Sequence, residues 1–268
     1  MIGNLGTPIL QSLINAPRDS LSGITQFFAC VQSKSSGNRL QDLFSKYQNF
    51  CVFTNDNVTA IQDADVIILG VDPSQVEATL QEAGIKEALQ GKLLISIVAG
   101  WSRSALESLI GANPEAKNDE NKTWVLRTLP NVAALVSQSL TAIEHHPSPT
   151  FPPHFSDLAT AIFSQIGKPL PITPNLMPAT TAVSGSTPAF WAIIVDSLID
   201  AAVAVGLPRK LAQEQIYQSM RGSAEMLQSG IQPGELRDMG TSPEGCTIAG
   251  VMVLEDCLLY TSPSPRDS

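Results

Sequence analysis

Hydrophobic residues run along this chain in two different rhythms. As far as about residue 173, short continuous apolar runs alternate with amphipathic stretches, and from Asn175 onward the period is helical. Val66-Ile67-Ile68-Leu69-Gly70-Val71 is a β-branched run of the kind that forms a parallel strand buried on both faces. Phe27–Val31, residues 50–53, 93–101 and 124–129 predict further strands or strand ends. Between them lie helical patterns at Ile9, Leu10, Leu13 and Ile14, and over residues 76–89. A strand at 139–143, a helix over 155–166 and a strand at 168–172 complete this part. The alternation predicts an α/β domain with a doubly wound parallel sheet, whose ligands bind at the carboxyl ends of the strands.

The second rhythm predicts an all-α domain. Residues 177–205 form one long, mostly apolar pattern that stops at Gly206-Leu207-Pro208. Pro208 opens another helix with Ala212, Ile216, Met220, Ala224 and Leu227 on one face, closed by Gly230. A helix apolar nearly all round is not the surface helix of a monomer, so a large core or a partner subunit must cover it. Asp196 and Asp200 inside the run argue against a membrane span.

Composition narrows the partners. At 268 residues the chain suits two modest domains or one large one, and 43% hydrophobic residues supply a real core. A formal net charge of −9 argues against nucleic acid or an anionic membrane, both of which need a basic face. Cys30, Cys51, Cys246 and Cys257 are widely spaced, which fits reduced thiols in a cytoplasmic protein. His145, His146 and His154 fall in a proline-rich stretch that predicts a solvated loop, and no metal role is assigned to them. Residues 111–122 read as a polar surface insertion.

The candidate chemistry sits at turns. In Ser242-Pro243-Glu244-Gly245-Cys246-Thr247 a tight polar turn ends by starting an apolar helix. Free N–H groups at such a helix start, together with its dipole, favour a small carboxylate, although an ordinary capped turn has the same pattern. Near the N-terminus, Gly3-Asn4-Leu5-Gly6 before a helical pattern resembles the back half of a dinucleotide fingerprint whose preceding strand is absent from the sequence. That strand would be central, and without it buried N–H and C=O groups would go unpaired at about 1–3 kcal/mol each; an incomplete gene start is therefore expected. After Phe27–Val31 no acid appears before Asp42, while Ser33, Lys34 and Ser35, with Arg39 as a further candidate, suit a phosphate. This favours NADPH, with NADH as the alternative. Ala99 and Gly100 end a strand with small residues that let a flat ring approach the backbone.

Two motifs carry a family resemblance. The 242–247 turn, preceded by Pro233-Gly234-Glu235-Leu236-Arg237-Asp238, resembles the C-terminal motif of pyrroline-5-carboxylate reductases, with Glu244 and Cys246 departing from Ser-Pro-Gly-Gly-Thr-Thr and Gly240 replacing the usual aliphatic residue. Ser184-Gly185-Ser186-Thr187-Pro188-Ala189-Phe190 resembles the family's Ser-Gly-Ser-Gly-Pro-Ala-Tyr. With residues 93–101 and 127–131 the resemblance runs from Gly3 to about Asp256 and suggests a fungal or other eukaryotic member.

The resemblance implies a Rossmann-type domain (1–173, lacking its first strand) and an all-α substrate and dimerisation domain of the 6-phosphogluconate dehydrogenase C-terminal type (174–257). Residues 258–268, rich in proline and serine, are expected to be a non-native tail. It implies hydride transfer from NAD(P)H to 1-pyrroline-5-carboxylate, giving L-proline, by a homodimer or higher homo-oligomer. The implied cofactor site is Gly3, Asn4, Leu5, Gly6, Ser33, Lys34, Asn57, Val71, Pro73, Ala99, Gly100, Pro130 and Asn131. Asp72, where the family usually has lysine, stays outside it. The implied substrate site is Ser184, Gly185, Ser186, Ser242, Gly245, Cys246 and Thr247, with Thr247 as the catalytic hydroxyl beside the ring nitrogen. A 3-hydroxyacid dehydrogenase-like enzyme is the alternative, but it would use a lysine in the first long helix, and none occurs from Asn175 to Gly206. A catalytically inactive fragment is the other.

Overall fold

The computed structural model of the chain describes residues 5–21, 23–112 and 121–259. In chain order the elements are α1 (Gly6–Asn15), β1 (Phe27–Val31), α2 (Lys34–Leu43), β2 (Phe50–Thr54), α3 (Asn57–Gln62), β3 (Val66–Leu69), α4 (Val76–Leu80), α5 (Ile85–Ala88), β4 (Leu93–Ser96), α6 (Arg103–Ile110), β5 (Trp124–Leu129), β6 (Ser139–Glu144), α7 (Pro153–Ser164) and β7 (Gly167–Ile172). The helical part follows as α8 (Met177–Thr180), α9 (Ser186–Ala204), α10 (Arg209–Gln228), α11 (Pro233–Met239) and α12 (Cys246–Leu259). The chain divides into two compact units, Met1–Phe190 and Trp191–Ser268.

In the first unit β1 pairs parallel with β2, Phe27 opposite Phe50. A second sheet runs β3-β4-β5-β6-β7. β4 is buried at every position because helices cover both of its faces: Leu93 and Ile95 pack with Ile9, Leu13, Ile162 and Phe163, while Leu94 packs with Val76, Leu80, Leu106 and Ile110. Each of these apolar side chains contributes about 1.5–3 kcal/mol by leaving water. The α/β arrangement followed by helices is the one the sequence pattern predicts.

Direction is where the sheet adds something. β3, β4 and β5 are parallel, but β6 pairs antiparallel with β5, Thr128 opposite Ile143, and β7 follows β6 in parallel. Hydrophobic runs specify burial and not polarity of the strand. β7 explains its own edge position. Ser139 donates to Ile166 and His145 to Ile172, so alternate residues Lys168 and Leu170 also face β6. Pro169 and Pro171 then point outward, where their missing N–H groups cost nothing and blunt the edge. Gly167 (φ 144°) is obligatory at the crossing, since a Cβ there would lie 2.0 Å from the Ser139 carbonyl oxygen.

Other departures are local. The 76–89 pattern is two short helices, because Gly84 at φ 90° interrupts it. The long pattern from 177 is broken by a π-helical turn over Thr181–Gly185 before α9 begins. α12 extends to Leu259, two residues into the stretch expected to be tail. Residues 260–268 and most of the 111–122 insertion lie outside the described residues.

His146 corrects the expectation of a solvated loop. Its side chain is only 3% exposed, stacked on Phe151 at 4.4 Å and edge-on to Trp124 at 5.3 Å. Nδ1 accepts from the Ser148 N–H at 3.2 Å. Burial, then the positive charges of Arg103 and Lys122, push its pKa down to about 4. His145 and His154 are exposed, as expected.

In the second unit α9 stays largely uncovered within one chain. Trp191, Ile193, Ile194 and Leu198 are exposed, and Ile199 is the one residue of α9 that is buried. Pro174–Ala204 is long and apolar enough to cross a membrane by length and composition.

Candidate active site

Three turns follow adjacent parallel strands, and a side chain ties the first two together. After β3, Asp72 caps a short 3-10 turn, its Oδ1 accepting from the N–H and the hydroxyl of Ser74 at 2.9 and 2.6 Å. These bonds hold the Asp72 carboxyl below its ordinary range. The Pro73 carbonyl accepts from Trp101 Nε1 at 3.0 Å, which ties the β3 turn to the Ala99-Gly100 turn after β4. Gly100 sits at φ 82° with open space where a side chain would be, so a planar group has access to that backbone. Val71 is half-buried just before this turn.

After β5 comes the most heavily bonded residue of the site, Asn131, following Pro130. Its N–H donates to Ser139 Oγ at 2.9 Å, its Oδ1 accepts from Ala133 at 3.1 Å, and its Nδ2 donates to the Ser184 carbonyl at 3.0 Å. Ser184 Oγ in turn donates to the Leu140 carbonyl at 3.5 Å. The expected cofactor turn and the expected substrate block, 53 residues apart in sequence, are therefore joined directly. Gly185 closes the π-helical turn and Ser186 opens α9. A widened turn exposes backbone groups that a regular helix would consume. Trp101 and the Asn131–Ser184 bond are the features sequence reading missed; a tryptophan directly after Ala-Gly was the signal for the first.

The other expected cofactor residues lie at helix starts. Leu5 and Gly6 start α1, with Ile9 donating to the Leu5 carbonyl at 3.2 Å. Gly3 and Asn4 lie outside the described residues. Ser33 caps α2, accepting from the Ser36 N–H at 3.2 Å, and Lys34 is the first helical residue. The polar loop expected here is thus a helix start with a lysine and three serine hydroxyls, a fitting cradle for a phosphate. Gly37 lets α2 approach β2, its Cβ position being 3.0 Å from Thr54 Oγ1. Asn57 opens α3 and is held elsewhere, Nδ2 donating to Glu82 Oε2 at 2.9 Å.

In the second unit Ser242 to Gly245 make a tight turn, with Gly245 donating to the Ser242 carbonyl at 3.1 Å. Pro243 supplies the fixed φ of the second position and Glu244 takes φ 59° at the third, the left-handed position that a type II turn usually gives to glycine. Gly245 is required: a Cβ would meet Ser242 Oγ at 2.5 Å and the Ser242 carbonyl at 3.2 Å. α12 then begins at Cys246, so the amides of Cys246, Thr247 and Ile248 lie in its first turn without an intrahelical acceptor. Cys246 and Thr247 are exposed. Arg237 bonds its neighbour Asp238 at 3.0 Å and reaches Glu255 at 3.1 Å, an exposed link between α11 and α12 on either side of the turn.

Comparison with known proteins identifies the family. A family model described as pyrroline-5-carboxylate reductase dimerisation matches residues 174–260, and one described as NADP oxidoreductase, coenzyme F420-dependent, matches residues 2–100. The pyrroline-5-carboxylate reductase of Lophium arboricola is 38% identical over 95% of this chain and 84% of the relative. That of Schizosaccharomyces pombe is 30% identical over 95% of this chain and 89% of the relative. The crystal structure of Plasmodium falciparum pyrroline carboxylate reductase with NADP bound matches with a TM-score of 0.77 at 26% identity, over 97% of this chain and 90% of that one. By these measures the chain belongs to the pyrroline-5-carboxylate reductase family.

Proposed function

We propose that the chain reduces 1-pyrroline-5-carboxylate to L-proline with NADPH. The observation that carries this reading is the 242–247 turn, a set of free amides at a helix start of the kind that grips a small carboxylate. Ser242, Gly245 and Cys246 shape this anion site. Thr247 is assigned the hydroxyl that bonds the ring nitrogen, and Ser184, Gly185 and Ser186 are assigned to the substrate by their family motif. A protonated cyclic imine already accepts hydride well, so the protein's work is to hold the carboxylate, orient the ring and exclude competing geometries. Bound NADPH would supply the hydride for the imine carbon, and the residues of the chain hold the imine in place to receive it.

Leu5 and Gly6, with Gly3 and Asn4 before them, are assigned to the pyrophosphate, Ser33 and Lys34 to the 2′-phosphate, and Val71, Pro73, Ala99, Gly100, Pro130 and Asn131 to the nicotinamide side. The helix start at Ser33-Lys34 supports the phosphate assignment, and a bound NADP in the Plasmodium falciparum relative supports the choice of cofactor. Asn57 is retained as a cofactor residue only if its bond to Glu82 opens on binding.

The division at 173/174 is supported by the dimerisation match that begins at residue 174, and that match also supports a homo-oligomer in which a second copy covers α9. We place the enzyme in the cytoplasm, free of nucleic acid and membrane, on its acidic charge and unpaired Cys30, Cys51 and Cys246. NADPH and NADH oxidation, each measured with and without pyrroline-5-carboxylate, tests the reading. Substrate-dependent oxidation with higher kcat/KM for NADPH supports it, and a clear preference for NADH overturns the phosphate assignment.

A further inference from the structure

β3 and β4 are neighbours in the sheet, and the last backbone bond between them runs from the Ile97 N–H to the Leu69 carbonyl at 3.0 Å. Just beyond it the two chains still approach closely, since a Cβ on Gly70 would lie 3.1 Å from Ile97 Cδ1. Further on, among the described residues, 71–75 and 98–102 are linked by a single hydrogen bond, from Trp101 Nε1 to the Pro73 carbonyl at 3.0 Å. Ala99 and Gly100, directly before the tryptophan, are exposed, and a Cβ on Gly100 would meet nothing.

A bond of this kind fixes a separation only when both of its ends are held, and here both are. On the β3 side Asp72 Oδ1 accepts from the N–H and hydroxyl of Ser74, and Gln75 donates to the Asp72 carbonyl at 2.8 Å, so Pro73 sits inside a closed turn. On the β4 side Val98 donates to Ser96 Oγ at 3.3 Å, and Ser102 caps α6 by accepting from the Ala105 N–H at 3.1 Å. Arg103, the next residue, donates from Nε to Glu144 of β6 at 3.3 Å and from Nη1 to Glu107 at 3.1 Å. Both carboxylates are largely buried, which makes these charge-assisted bonds a firm anchor. The indole itself is half-buried and packs against the apolar cluster that includes Leu69, Val76 and Leu106.

We infer that Trp101 is a positioning residue for the cofactor: its indole N–H holds the β3 and β4 turns at the separation that the nicotinamide half requires. The inference rests on the proposed assignment of Val71, Pro73, Ala99 and Gly100 to the nicotinamide side. Turns already held at the bound spacing need no ordering when the cofactor arrives, so their preorganisation is read as affinity. Losing the N–H frees the turns and weakens the nicotinamide end alone. The phosphate end, assigned to Ser33 and Lys34, belongs to another strand end and keeps its capped helix start.

The test is calorimetric titration of the full chain with NADPH and with adenosine 2′,5′-bisphosphate, which keeps the 2′-phosphate and lacks the nicotinamide. Trp101→Phe keeps an aromatic ring and removes the N–H, whereas Trp101→His places an N–H at the ring position of the indole nitrogen. In Trp101→Phe, Kd for NADPH is expected to rise about three- to tenfold while Kd for the bisphosphate stays unchanged. Trp101→His is expected to recover NADPH affinity to within about twofold of wild type. Trp124→Phe, at the amino end of β5 opposite Leu93, is the packing control and leaves the ratio of the two constants as in wild type. Equal weakening of both ligands in Trp101→Phe, the same loss in Trp101→His, or a ratio that also moves in Trp124→Phe assigns Trp101 a merely structural role and overturns the proposal. NADPH binding by wild type with a ratio unmoved in Trp101→Phe overturns the proposal alone, whereas no NADPH binding by wild type overturns the cofactor reading and the proposal with it.

Discussion

Glu244 offers a direct probe of the anion site, because two of its properties can be separated. Its backbone sits at φ 59° in an exposed turn, and its carboxylate is one residue from the amides assigned to the substrate. The left-handed conformation costs a non-glycine residue about 1 kcal/mol or more, while glycine gives back about 0.5–1 kcal/mol through the entropy of the unfolded chain. Glu244→Gly is therefore expected to leave stability within about 1 kcal/mol of wild type. The charge term is independent of this. Two like charges about 6 Å apart in solvent-exposed surroundings repel by about 0.7 kcal/mol at low salt, equivalent to a factor of about 3 in affinity. Glu244→Gln removes the charge and keeps the backbone constraint. Steady-state kinetics should show KM for pyrroline-5-carboxylate about threefold lower in both variants at low ionic strength, with the difference shrinking as salt screens it. KM unchanged in both variants at low salt would refute a substrate carboxylate at this turn. A fall in Glu244→Gly alone would assign the effect to the backbone.

Further outcomes follow from single contacts. Asn131→Asp keeps the acceptor for Ala133 but turns the donor to the Ser184 carbonyl into a repelling oxygen; KM for the imine should rise about tenfold, the equivalent of about 1.4 kcal/mol, and unchanged KM would show that the Ser184 block is positioned by other means. Gly245→Ala places a methyl 2.5 Å from Ser242 Oγ and 3.2 Å from its carbonyl, so activity should fall at least about tenfold with unchanged circular dichroism; full activity would show that the turn relaxes freely. His146 has a folded-state pKa of about 4, below its ordinary 6.5, so its neutral form is the one the fold accepts. Stability is fully present above pH 6.5 and is lost as pH falls towards 4, by at most about 1.4 kcal/mol per pH unit. Denaturant titrations should show this slope reduced in His146→Phe, and parallel curves for the two proteins would contradict the burial argument.

Sequence patterning recovered what burial dictates and missed what geometry adds. The runs at Val66–Leu69, Leu93–Ser96 and Trp124–Leu129 were legible because strands buried on both faces are apolar throughout. The reversal at β6 was not, since an antiparallel strand has the same apolar composition. The π-helical turn at Thr181–Gly185 interrupts a pattern that looks continuous, because one extra residue per turn leaves no mark on hydrophobic periodicity. Within the site, Ser242 to Thr247 and Ser184 to Ser186 carry recognisable short motifs. Asn131 bonding Ser184 depends on the sheet bringing two distant turns together, and no local pattern encodes that. His146 was misread because a proline-rich stretch usually marks a solvated loop, whereas Trp124 and Phe151 form a slot that a flat ring fills.

An anion held by the first-turn amides of α12 is central to the proposed reaction, and comparing substrates with and without that anion tests this most directly. NADPH oxidation is measured with 1-pyrroline-5-carboxylate and with 1-pyrroline, which has the same imine and no carboxylate. Charge-assisted hydrogen bonds worth about 2–3 kcal/mol predict kcat/KM about 30- to 150-fold higher for the carboxylate, a ratio that Thr247→Ala keeps while slowing both imines, because it removes the hydroxyl assigned to the ring nitrogen and leaves the backbone amides in place. Equal efficiency with the two imines would contradict the account.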